Sequence, residues 1–165
     1  MKRILANQDE INLYTNLGEA LFITQTVEQA LSHSITLKLN ADSTTEDADE
    51  ALKKNLRYTL GQAIVIANKE KLYNLEIQKK LDVFLEKRNW LVHNVICGNE
   101  ESFNAGKIPE SLLNKISSIC DEARIIHRDL EYDLLDFCRS KGKDMSKLRA
   151  LLELQDKGIR IRKVS

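Results

Sequence analysis

The chain has 165 residues, 42% of them hydrophobic and 30% charged, and its 25 Lys and Arg are matched by 25 Asp and Glu. That length suits one domain, residues 1–165, burying about 70% of its unfolded surface. Even charge removes the whole-chain mark of a nucleic-acid binder, and one Pro, six Gly and few aromatics fit a soluble helical protein.

The first helix is expected over residues 8–39, opened by a capping box of Asn7 and Glu10. Leu13, Leu17, Ala20, Leu21, Thr24, Val27, Leu31 and Ile35 recur along it at three- and four-residue steps, as one stripe facing a core. Residues 40–46 break the pattern as an acidic loop. Ser43 with Glu46 predicts a second capping box, starting a short helix to about Leu56. Tyr58–Gln62 reads as a turn, followed by a helical stretch, Ala63–Lys69. A third long stretch spans 74–97, with Ile77, Leu81, Phe84, Leu85, Leu91, Val92, Val95 and Ile96 on its apolar side and Gly98 at its end. Residues 98–108 read as irregular and Pro109 as a helix start. A long helix then runs over 109–140 on a buried face from Leu112 to Phe137. Gly142 ends it, and Asp144 caps a last helix, 145–156, stopped by Gly158. Residues 159–165 alternate apolar and basic, as a short strand or a flexible tail. Three long amphipathic helices on short connections predict an all-α, up-and-down bundle of four or five helices.

Charge is uneven along this scaffold. Residues 42–50 hold five acidic residues and no base, whereas 139–165 hold nine basic residues against three acidic ones, a net of +6. The basic end, about 158–165 at its tip, admits RNA backbone contact or a solvated tail. Cys97, Cys120 and Cys138 are odd in number and form no Cys-x-x-Cys pair, which reads as reduced thiols in a cytoplasmic protein. The N-terminus reaches Asn7, Gln8, Asp9 and Glu10 before any long apolar run, unlike a signal peptide. No window approaches the roughly 18 apolar residues of a membrane span.

The chemistry-bearing stretch is Glu86–Asn94, which sets Arg88, Asn89 and His93 in an apolar helical run. Arginine is a permanent cationic fork suited to phosphate, and histidine exchanges protons near neutral pH. At about 100° per residue, Asn89 and His93 stack some 40° apart while Arg88 and His93 diverge by about 140°. One helix cannot aim both at a single point. A two-fold partner resolves this by offering a second Arg88 and His93, so the spacing favours a site shared across a homodimer, with Trp90 either in the seam or in the core. The competing structural reading pairs Arg88 with Asp82 or Glu86 and makes His93 a polar residue at a bundle interface.

Arg88-Asn89-Trp90-Leu91-Val92-His93 resembles the Arg-(polar)-x-x-x-His signature of HEPN domains, helical bundles of prokaryotic toxins and defence systems and of some eukaryotic RNases. The resemblance covers about 25 residues. It implies a dimeric, metal-independent endoribonuclease. Arg88 would hold the scissile phosphate and stabilise the transition state, His93 would act as general acid or base, and Asn89 would orient the phosphate or the histidine. It also implies RNA as partner, a toxin–antitoxin or antiviral setting, and a cognate antitoxin or defence partner. Asn94-Val95 stands where many antitoxin-paired members carry a tyrosine. No cofactor is implied, and the chain offers no Asp/Glu/His cluster that demands a metal. A non-catalytic dimerisation module binding protein or RNA is the alternative.

Other constellations rank lower. His127, with Arg124 and Arg128, either contacts phosphate or pairs with Glu131 one turn on. Cys97 follows His93 by four residues, which admits a Cys/His dyad or a buried, inert thiol. His33, in a Ser-His-Ser step, is expected to face solvent.

Overall fold

The computed structural model describes residues 5–55 and 58–159, save the side chains at 45 and 48. Seven helices lie within them: α1 Gln8–Leu39, α2 Thr45–Asn55, α3 Leu60–Lys69, α4 Leu75–His93, α5 Glu100–Asn104, α6 Glu110–Ser140 and α7 Ser146–Asp156. No strand occurs among the described residues. The described residues are all-α, with more helices than the four or five expected. None of the described helices is long and apolar enough to cross a membrane.

The ends follow from local chemistry. Asn7 and Glu10 form the capping box of α1, each side chain accepting from the other's backbone N–H at 2.8–2.9 Å. At α2 the cap moves one residue from the expected Ser43/Glu46 pair: the Thr44 hydroxyl accepts from the Asp47 N–H. Tyr58–Gln62 is not a free turn, because Thr59 and Gln62 make a second capping box that starts α3 three residues early. α4 stops at His93, short of the expected residue 97. Asn94 caps it, donating to the Trp90 carbonyl at 2.8 Å. The stretch expected to be irregular up to residue 108 contains α5. Gly142 and Gly158, both at positive φ, follow α6 and α7 as expected. The readings made for residues 56 and 160–165 lie outside the described residues.

Ion pairs and hydrogen bonds across the helices give their directions. Asn7 reaches Gly106, Glu19 pairs with Arg124, and Lys38 pairs with Asp133, so α1 and α6 run parallel. Lys80–Asp129 and Lys87–Glu122 advance in opposite senses, so α4 is antiparallel to α6. Arg88–Glu28 and Lys38–Leu72 make α4 antiparallel to α1 as well. The three long helices thus run up, down, up, around a core that includes Val27, Leu31, Leu81, Phe84, Ile116 and Leu130. Most of the expected stripes are buried. Leu21, Val92 and Ile96 are corrections, at 41%, 41% and 61% exposed, because they fall off the core-facing side of their segments.

Candidate functional site

The Asn74 side chain starts α4 by accepting from the Ile77 N–H at 2.9 Å. Along α4, Ile77, Leu81, Phe84 and Leu91 point into the core, and Arg88 occupies the same register. A guanidinium at such a position requires a counterion, since an unpaired, partly desolvated charge is costly. Neither Asp82 nor Glu86 supplies it. Glu28 of α1 does, accepting from Arg88 Nε at 2.9 Å, with both side chains about a quarter exposed. Past its first turn α1 carries only two acidic residues, Glu19 and Glu28. Each holds an arginine of a neighbouring helix. A partly buried cation in a core stripe was the sequence signal for a carboxylate on a facing helix.

The other edge of the guanidinium turns outward: Arg88 Nη1 lies 3.5 Å from Asn89 Oδ1. Asn89 and His93 are exposed, one turn apart on the solvent side, and His93 is the last residue of α4. Arg88 and Asn89 are thereby brought together. No hydrogen bond joins the His93 imidazole to either of them among the described residues. Exposed Val92 and Ile96 flank this strip. Trp90 is half-buried on the core, beneath the Lys115 ammonium, 3.5 Å from its ring centroid.

Early termination of α4 also decides the cysteine question. Cys97 lies in the turn after the helix and is exposed, not buried. Its sulfur is 4.0 Å from the His93 carbonyl oxygen, a backbone contact and not a thiol–imidazole pair. Cys120 is buried and Cys138 half-buried; all three are free. Burial pushes the Cys120 thiol up from its ordinary pKa.

The second group of candidates lies elsewhere. Arg124 is held by Glu19 and Asp121. His127 Nδ1 lies 3.5 Å from Glu131 Oε2, the one-turn pair that was the structural alternative. Arg128 is exposed and has no ion pair among the described residues. Around the α4 axis, Asn89 and His93 sit roughly 120–160° from Lys87, the residue that faces α6. Arg124, His127 and Arg128 therefore do not join the α4 strip. No local pattern signals that His33 and His127 share a groove between α1 and α6, a cavity of about 270 Å³ that Thr26, Leu130, Glu131 and Leu134 also line. Desolvation there raises the Glu131 carboxyl above its usual pKa, and His127 partly counters it.

Compared with known proteins, the chain matches no family model, no curated protein and no solved structure.

Proposed function

We propose that the protein is a HEPN-like endoribonuclease working through the α4 strip, in a toxin–antitoxin or antiviral setting with RNA as substrate. One observation carries the reading. Arg88 is fixed from behind by Glu28 at 2.9 Å, while its outer edge meets Asn89 on the same solvent-open end of α4 as His93. A guanidinium held in place loses little freedom when a phosphate arrives, and its remaining N–H groups can face the charge that develops in the transition state.

In the proposed reaction the RNA 2′-hydroxyl attacks the adjacent phosphorus. An O2′–P bond forms and the P–O5′ bond breaks, leaving a 2′,3′-cyclic phosphate and a 5′-hydroxyl. One imidazole takes the 2′-proton and another gives a proton to the departing oxygen. His93 points away from Arg88 within one chain, so the reading includes a homodimer in which two copies of the strip pool their imidazoles and guanidiniums. DNA, lacking the 2′-hydroxyl, is not cleaved. The test compares an RNA oligonucleotide with DNA of the same sequence. The reading expects cyclic-phosphate ends from the RNA alone; cleavage of both, or 3′-hydroxyl products, would count against it.

A second reading, a non-catalytic module that binds a protein through this end of the bundle, draws support from two features. Glu28 already neutralises Arg88, and Val92 and Ile96 offer apolar contact beside the strip. Folded protein that leaves RNA intact favours it.

A further inference from the structure

Opposite the core, α1 carries a second stripe that the fold covers only in part. At about 100° per residue, Tyr14, Gly18, Phe22, Gln25, Ser32 and Thr36 share this outer face. α2 lies over its far end: Ser32 and Thr36 are buried, and the Asn55 amide donates to Thr36 Oγ1 at 2.7 Å. The near end is bare. Phe22 is 71% exposed and Tyr14 60%, with Ile11 at 46% and Leu21 at 41% beside them. No charged residue falls on this stretch of the face, in a chain that is 30% charged.

Gly18 stands midway between the two aromatics, and a Cβ there would meet nothing within 4 Å. Glycine inside a helix weakens it relative to alanine, and its usual return is close approach of another backbone. Among the described residues nothing occupies the space.

We propose that this face is the seam of a symmetric pair, in which α1 of a second copy crosses antiparallel over Gly18. Tyr14 and Phe22 each lie four residues from Gly18. A two-fold axis at the glycine therefore seats each Tyr14 beside the partner's Phe22, as an isologous contact demands. The absent Cβ lets the helices approach until the rings interlock, edge to face or offset. The exposures amount to roughly 400 Å² of apolar surface per chain, on the basis of about 150–250 Å² for a bared aromatic. Two such faces with their polar rims reach the roughly 1,200 Å² at the lower end of stable specific interfaces. Charge-poor, aromatic composition is what the centre of such an interface carries.

This seam goes beyond the nuclease reading and stands without it. It uses α1, and a second seam at the α4 strip would turn the pair into a tetramer with two kinds of two-fold. Native mass by light scattering across about 1–100 µM, a range that brackets weak association, tests it without RNA. Wild type is expected as a dimer or an even multiple, Phe22→Glu at half the wild-type mass, and Val92→Glu on α4 still paired. Gly18→Leu, a better helix former in open space, is expected to lower the mass while circular dichroism shows the fold retained, and it carries the test if Phe22→Glu misfolds. A monomeric wild type, a Phe22→Glu or Gly18→Leu protein of undiminished mass, or Val92→Glu alone giving monomers, would overturn the proposal.

Discussion

Glu28 and Arg88, sixty residues apart in the chain, are joined at 2.9 Å across the α1–α4 contact, and this pair fixes the direction of the guanidinium. Glu28→Gln keeps the shape and removes the charge. Both side chains are about a quarter exposed, so solvent screens the pair and the stability loss should be about 0.5–1 kcal/mol by urea unfolding. If Glu28 orients Arg88 for phosphate, RNA cleavage should fall about tenfold from lost positioning. Unchanged cleavage would limit Glu28 to packing.

A deeper ion pair ties the other end of the bundle. The Lys38 side chain, 5% exposed, meets Asp133 of α6, donates to the Leu72 carbonyl ahead of α4 at 2.7 Å, and lies 4.1 Å from the Tyr73 ring centroid. Lys38→Met should cost about 3 kcal/mol, because Asp133 is left partly buried without its countercharge. Lys38→Met with Asp133→Asn should recover most of that loss in the same urea titration. A double variant no more stable than the single would place the cost in the Leu72 and Tyr73 contacts instead.

Gly106 holds the start of α1. Its φ is +65°, and its carbonyl accepts from Asn7 Nδ2 at 2.8 Å. An added Cβ would stand 2.8 Å from that same nitrogen. Gly106→Ala should therefore strain the backbone and displace the α1 cap together, lowering stability by about 1–2 kcal/mol. Gly18→Ala, whose Cβ meets nothing inside its own subunit, should leave the unpaired subunit at least as stable when melted at a concentration too low for pairing through α1. Equal effects of the two in thermal melts would contradict this.

Glu131 gives a pH dependence with a definite sign. Burial raises its carboxyl above the ordinary glutamate value of about 4.5, so the folded state keeps that proton to higher pH than the unfolded chain does. Its contribution to stability is present below about 4.5 and declines as pH rises through the raised folded-state value. Glu131→Gln should flatten that decline, and its melting temperature relative to wild type should be higher at pH 7 than at pH 4. The opposite trend would mean that the His127 contact outweighs desolvation.

Local signals made much of the fold legible. Asn7 with Glu10 placed the start of α1, because a cap acts within one turn, and Pro109 placed that of α6, because its fixed φ suits a helix start. Thr59 with Gln62 is the same chemistry, hidden by an adjacent glycine that suggested a turn. The end of α4 went to Gly98 on glycine's conformational freedom, yet Asn94 ended the helix first, and Val95 is buried from a non-helical segment. At the candidate site, the stacking of Asn89 on His93 follows from helical register alone. Arg88 could also be placed from register, since it continues the stripe from Phe84 to Leu91. Its partner could not, because a contact made sixty residues away depends on how α1 packs against α4.

The most direct measurement is RNA cleavage by purified wild-type protein in EDTA, beside His93→Ala and Arg88→Ala proteins whose fold is checked by circular dichroism. The account predicts that wild type cleaves and that both folded variants lose at least about a hundredfold of the rate, as removal of a general acid–base or a charge-stabilising group does. Variants as active as wild type would contradict it.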